Sequence, residues 1–288
     1  MKKGQTPHKA TSSTPRDTGE RLMKVDIGNL TISYKISGSG PPLVFFHGWI
    51  GNEDTFALCH AGFAKHFTVY RPAWPGYGES SRLKNFTIND FVEIARKFYQ
   101  KLGLSDVTLI GNCLGGNVAM EFSRRYPTML KRLILIELHG YFPRYFFPLL
   151  IPWANKILYR VIFKSTTGFH LLNSYLPLQE KNGDDTWRYT QEGFNRTPVE
   201  SALTYIKAIY DFGKDKGMTY YETFKTEVPI IYVKGGRTFG PVAAFNDIVE
   251  RHFENTIVIS IPESLHNPVV EKPAIFNDRV LAALGLSK

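Results

Sequence analysis

The sequence predicts an α/β fold built on a mostly parallel central sheet with helices around it. Short, fully apolar runs that read as strands buried on both faces carry that prediction, together with the helical stretches separating most of them. The runs are Leu43-Val44-Phe45-Phe46, Phe67-Thr68-Val69-Tyr70, Val107-Thr108-Leu109-Ile110, Leu133-Ile134-Leu135-Ile136, Pro229-Ile230-Ile231-Tyr232-Val233 and Thr256-Ile257-Val258-Ile259. Residues 87–102, 116–126 and 242–252 read as helices. Ahead of this alternation, residues 23–37 read as a strand pair turning at Gly28-Asn29.

Between residues 138 and 227 the alternation stops. That stretch is helical and aromatic-rich, without a convincing strand, and reads as a cap inserted between two core strands. The expected organisation is a core of residues 23–137 and 228–288, a helical cap of residues 138–227, and a basic tail of residues 1–22. Ser, Thr and Pro enrich the tail, which is expected to be disordered.

Composition narrows the classes. At 288 residues the chain can bury one large core, or a core with an inserted subdomain. The net charge of +9 raises nucleic acid or an anionic membrane as partners. Part of that excess sits in the tail, in Lys2, Lys3, Lys9, Arg16 and Arg21, and no nucleic-acid-binding motif is present. The two cysteines, Cys59 and Cys113, make neither a disulfide framework nor a zinc site and fit a reducing compartment. Without a signal-peptide pattern, the expected location is cytoplasmic. Cys59 reads as a packing residue. His60, His66, His139, His170 and His252 show no ligand spacing, so neither a metal nor a cofactor is expected.

The most informative segment is Leu109-Ile110-Gly111-Asn112-Cys113-Leu114-Gly115-Gly116: an apolar strand, a tight turn, then a helix. This is the Gly-x-nucleophile-x-Gly pattern with a thiol as the nucleophile. Gly111 and Gly115 leave room for neighbouring chain. The turn aims the thiol at a helix N-terminus, which favours the thiolate. Three further segments follow the same logic. His47-Gly48-Trp49-Ile50-Gly51 directly follows a core strand. Pro75-Gly76-Tyr77-Gly78-Glu79-Ser80 is a loop whose glycines and prolines fix its path and support the first. His266 lies on the loop after the last core strand, placed to take the nucleophile's proton.

These four segments, taken in chain order, resemble the α/β-hydrolase fold superfamily in its capped, epoxide-hydrolase-like or meta-cleavage-hydrolase-like branch. The resemblance spans about residues 43–284. It implies Cys113 as nucleophile, His266 as general base, and the backbone amides of Trp49 and Leu114 as the oxyanion hole. Two departures stand out. The family's usual aspartate is missing from Lys234-Gly235-Gly236-Arg237-Thr238-Phe239-Gly240-Pro241, and Asp247, further on, is expected to face solvent. An alternative position in the fold, after the preceding strand, holds Glu137. It is either the acid that orients His266 or a buried carboxylate that hydrogen-bonds loop backbone; a Cys113–His266 dyad is the third reading. The second departure is the thiol, which resembles that of dienelactone hydrolases and polyhydroxyalkanoate synthases over the hexapeptide alone, so neither substrate carries over.

The expected activity is a cofactor-free hydrolase or acyltransferase acting on an ester, lactone or thioester through a Cys acyl-enzyme. The alternatives are an inactive relative that binds a ligand or partner, and a cofactor-free C–C hydrolase or lyase. The expected partner is a small molecule, apolar or bearing an acyl chain. From residue 141 to 179 the cap carries no acidic residue, while Arg144, Lys156, Arg160 and Lys164 are basic. Its apolar faces read as packing on the core, as an acyl-chain pocket, or as a weak membrane contact. Pro143, Pro148 and Pro152 argue against one continuous interfacial helix.

Overall fold

The computed structural model describes residues 19–175 and 184–286. Most of the expected tail therefore lies outside the described residues, and its last two positions already belong to a strand. Eight strands form one sheet: β1 (Arg21–Ile27), β2 (Leu30–Ser37), β3 (Pro42–Phe46), β4 (Thr68–Pro72), β5 (Val107–Asn112), β6 (Leu130–Ile136), β7 (Ile230–Gly235) and β8 (Ile257–Ile261). Their order across the sheet is β1-β2-β4-β3-β5-β6-β7-β8. β1 and β2 are the expected hairpin, with Ile27 opposite Leu30 around the Gly28-Asn29 turn. β2 also runs antiparallel to β4, and every later pairing is parallel.

Ten α-helices complete the described chain: α1 (His60–Phe63), α2 (Ile88–Leu102), α3 (Leu114–Arg125), α4 (Asn155–Tyr159), α5 (Thr166–Tyr175), α6 (Asp184–Arg196), α7 (Val199–Glu222, broken at Gly217), α8 (Gly240–His252), α9 (Pro268–Glu271) and α10 (Pro273–Ala283). The inner apolar strands are covered on both faces, as their uninterrupted pattern requires, whereas the edge strand β8 leaves Ile257 and Val258 exposed. One cluster joins Val44, Phe46 and Leu109 to α2, α3 and α8; the other joins Phe45, Ile110 and Val233 to α1, α9 and α10. Cys59 is fully buried in the second cluster. Every residue of β5 is buried, which makes it the rigid centre of the sheet.

From β3 the chain steps outward to β4, returns to β5 on the other side of β3, and continues in the opposite direction to β8. The β3/β5 boundary is thus a topological switch point, where ligands of open parallel sheets bind beyond the strands' carboxyl ends. The residues that follow β3, β5, β6 and β8 are His47, Cys113, Glu137 and, after a short turn, His266.

Residues between β6 and β7 contain helices and, among the described residues, no strand. Prolines divide the first aromatic stretch. A 3-10 segment (Arg144–Leu150) holding Pro148 is followed by α4 and then a π-helical turn (Arg160–Lys164). Leu149, Tyr159, Phe163, Phe169, Phe194 and Ile206 form a separate small core in this region. No described helix is long and apolar enough to cross a membrane.

Candidate functional site

Cys113 sits between β5 and α3 with φ of 52° and ψ of −117°. A side-chain-bearing residue in that region carries roughly 1–3 kcal/mol of strain, so the surroundings must hold it. Its N–H donates to the Ile136 carbonyl at 2.9 Å, and its carbonyl accepts from Gly116 N–H at 2.9 Å. Close packing explains the flanking glycines. A Cβ at Gly115 would collide with the Phe46 carbonyl oxygen, and one at Gly111 would press on the Gly115 carbonyl and Gly116. Gly48 passes directly over the thiol, and a Cβ there would lie 3.1 Å from that of Cys113.

Glu137, the residue after β6, is fully buried and also adopts positive φ, 50°. Its Oε1 accepts from Gly235 N–H at 2.6 Å and its Oε2 from the Thr238 hydroxyl at 2.9 Å. Oε2 also stands 3.5 Å from His266 Nδ1. That is ion-pair distance; Nδ1 makes no geometrically sound hydrogen bond. Glu137 therefore does both things the sequence left open, bonding the loop after β7 and facing the imidazole. Asp247 is exposed on α8.

The loop carrying His266 is held by Glu271. Its carboxylate accepts from Ser264 Oγ (2.8 Å), Leu265 N–H (2.6 Å) and Asn267 N–H (3.1 Å). Burial pushes its carboxyl up, against those three donors.

His139 is the residue that sequence reasoning missed. Two positions beyond Glu137, it brings Nδ1 to 3.7 Å from Cys113 Sγ. Its ring lies 5.1 Å from that of His266, centroid to centroid. The sole signal in the sequence was its place just past a core strand. Burial pushes the Cys113 thiol up, but His139 and His266 outweigh it and bring it down to about 5. Burial pushes His266 down, while the adjacent Cys113 and Glu137 raise it to about 10. The two shifts describe one stabilised thiolate–imidazolium pair.

The turn after β3 is braced from below. Buried His47 bonds Gly48 O through Nδ1 (2.9 Å) and accepts Trp74 N–H at Nε2 (3.0 Å). The second bond requires an unprotonated Nε2, so Nδ1 is the donor. Burial holds His47 at about 4, hence neutral. Tyr77 donates its hydroxyl to the Trp49 carbonyl at 2.5 Å. The Pro-Gly-Tyr-Gly loop thus clamps the segment carrying the Trp49 amide. The Trp49 indole reaches up instead, donating to Ala202 O at 2.9 Å and meeting Phe146, Tyr159, Phe163 and Phe194 edge-on. Each such ring pair contributes about 0.5–1.5 kcal/mol beyond area burial. The helical region between β6 and β7 therefore packs directly on this turn.

A cavity of about 490 Å³ opens above Cys113. Trp49, Leu114, His139 and His266 line its floor; Tyr145, Phe146, Phe163 and Tyr210 line its apolar walls.

An eight-stranded, mostly parallel sheet flanked by helices, with a sharp strand–helix turn after its central strand, defines the α/β hydrolase class of scaffold. The α/β hydrolase fold family matches residues 41–273, and the chain belongs to it. An uncharacterized protein of Mycobacterium tuberculosis is 34% identical over 109 residues, 38% of this chain and 32% of that protein. The chain thus aligns with about a third of the length of the first curated relatives it matches. A provisionally named esterase/lipase of Haemophilus influenzae is 23% identical over 239 residues, 81% of this chain and 79% of that protein. The crystal structure of a provisionally named lipase of Acinetobacter baumannii superposes with a TM-score of 0.76 at 19% identity, covering 93% of this chain and 91% of that one. At that identity the superposition shows the fold.

Proposed function

We propose that this chain is a hydrolase or acyltransferase that takes apolar ester, lactone or thioester substrates through a covalent Cys113 acyl-enzyme. The observation that carries the reading is the position of the Cys113 thiol, on the cavity floor with His139 and His266 beside it and Glu137 behind His266. The family and its esterase/lipase relative support acyl chemistry in general.

In this reading the Cys113 thiolate attacks the acyl carbon and a C–S bond forms. Negative charge moves to the carbonyl oxygen, where the Trp49 and Leu114 amides receive it. As the C–O or C–S bond to the leaving group breaks, the His266 imidazolium donates its proton to that group. Water or an acceptor alcohol or thiol then gives its proton to His266 and attacks the thioester, releasing product and thiolate. Glu137 keeps His266 oriented and offsets its charge in both steps. Exchange between thioesters is close to thermoneutral, so transfer competes with hydrolysis on this route.

Stopped-flow mixing with a p-nitrophenyl ester tests it. A nitrophenolate burst equal to the enzyme concentration is expected; turnover that persists in Cys113→Ala at the native rate would overturn the proposal.

A second feature supports contact between the cap and a lipid surface. Trp153 is 84% exposed and Ile157 64%, and Val161 follows one turn on, among Arg144, Lys156 and Arg160. Sedimentation with anionic vesicles should pull down the native chain and much less Trp153→Glu; equal recovery would count against this contact.

A further inference from the structure

We propose that Cys113, His139 and His266 form a binding site for a borderline-soft divalent cation of the zinc type, and that the cation holds the nucleophile in an unreactive state. The blocking effect rests on the acyl-enzyme reading above, but the binding does not.

The donor set comes first. One thiolate sulfur and two imidazole nitrogens are the ligands that such cations prefer over oxygen-seeking magnesium or calcium. The three donor atoms lie within 4.8 Å of one another. The distance from Cys113 Sγ to His139 Nδ1 is 3.7 Å. Zinc–sulfur and zinc–nitrogen bonds of ordinary length, at a tetrahedral angle, put sulfur and nitrogen roughly 3.6 Å apart. That edge of the tetrahedron is already in place, and His266 has to close the other two.

The outer partners also fit. A ligating imidazole usually gives its second nitrogen's proton to a carboxylate, which fixes the tautomer and strengthens the ligand. Glu137 Oε2 stands 3.5 Å from His266 Nδ1, at ion-pair distance and without a sound hydrogen bond, so it faces that nitrogen and leaves Nε2 for the metal, and binding has to draw this contact closer. Glu137 is itself anchored by Gly235 and Thr238, and Glu271 holds the loop on which His266 sits. Cys113, His139 and His266 all line the cavity, so water from it can supply a fourth ligand. No spacing in the sequence announces the site, because β5, β6 and β8 each deliver one ligand to the same end of the sheet.

Binding forms three dative bonds, two from nitrogen and one from sulfur. The proton shared between thiol and imidazole leaves to solvent. The sulfur lone pair that would attack the acyl carbon is then engaged by the metal, and His266 can no longer carry a proton.

The test uses the full chain after chelator treatment and titrates Co²⁺ as a spectroscopic stand-in, then displaces it with Zn²⁺. The expected result is one Co²⁺ per chain with a thiolate-to-cobalt charge-transfer band in the near ultraviolet, lost on adding one equivalent of Zn²⁺. Glu137→Gln should weaken binding by about tenfold, and His139→Ala by more than that. Zn²⁺ should abolish the nitrophenolate burst, and a chelator should restore it. Absence of the band in the native chain overturns the site, as does binding unaffected by His139→Ala in a variant that still unfolds cooperatively. If the band appears but Cys113 never becomes acylated, the metal site stands and the acyl-enzyme reading falls.

Discussion

Glu137 and His266 face each other across 3.5 Å, Oε2 to Nδ1, although they follow β6 and β8, with more than a hundred residues of chain between them. The carboxylate sits after β6, one strand before the loop that lacks the usual aspartate, and reaches past Gly235 and Thr238 to the imidazole. It offsets an imidazolium without a well-formed hydrogen bond to it. That fits a thiol nucleophile, whose proton leaves far more readily than that of a serine.

Glu137→Gln should therefore lower kcat/KM by roughly 10–100-fold, less than the about 10⁴-fold lost when a serine triad's aspartate becomes an amide. Cys113→Ser, which demands a stronger base, should lose more than Glu137→Gln does. Steady-state kinetics on one ester series checks both, and a Cys113→Ser enzyme at full activity would contradict the pairing of thiol and displaced acid.

The thiol should titrate with the site rather than as free cysteine. A thiol is the neutral form and a thiolate the charged one, so reactivity rises as pH climbs through the thiol's pKa. With Cys113 brought down to about 5, the rate of alkylation by iodoacetamide in chelator-treated protein should level off above that pH. A free cysteine keeps rising until near 8.5. The pair should persist until His266 loses its proton at about 10. His266→Ala should move the lower inflection upward. A profile with an ordinary cysteine inflection, indifferent to His266, would fit a ligand-binding relative instead of an enzyme.

Chain length should decide among substrates. If Phe146 and Phe163 receive the acyl chain, each buried methylene contributes about 0.8 kcal/mol, or roughly fourfold in kcat/KM. The increase should hold until the cavity of about 490 Å³ is filled and then stop. A homologous series of p-nitrophenyl esters reads this directly; a flat or falling series would place the acyl chain elsewhere.

Much of this architecture was legible in the sequence because parallel strands buried on both faces announce themselves as apolar runs. All six such runs are strands, displaced by up to three residues at their ends. The elbow was legible too, since Gly111 and Gly115 answer to hard contacts with neighbouring backbone. His139 was not. Its importance comes from the turn of chain after Glu137, which no periodicity encodes, and a lone histidine at the mouth of a cap looks like any other. Glu271 was missed for a related reason: its three bonds go to residues of its own loop, a local geometry that spacing alone does not reveal. The cap's aromatic content was visible, but its division into 3-10, α and π turns depends on where Pro148 and its neighbours pack.

Intact-mass spectrometry after brief exposure to an activated acyl ester reads the acyl-enzyme itself. A single acyl adduct is expected, mapped to Cys113, released by hydroxylamine and absent from Cys113→Ala. An adduct that survives Cys113→Ala unchanged, or a native chain that turns over ester while its mass never shifts, would contradict the Cys113 acyl-enzyme.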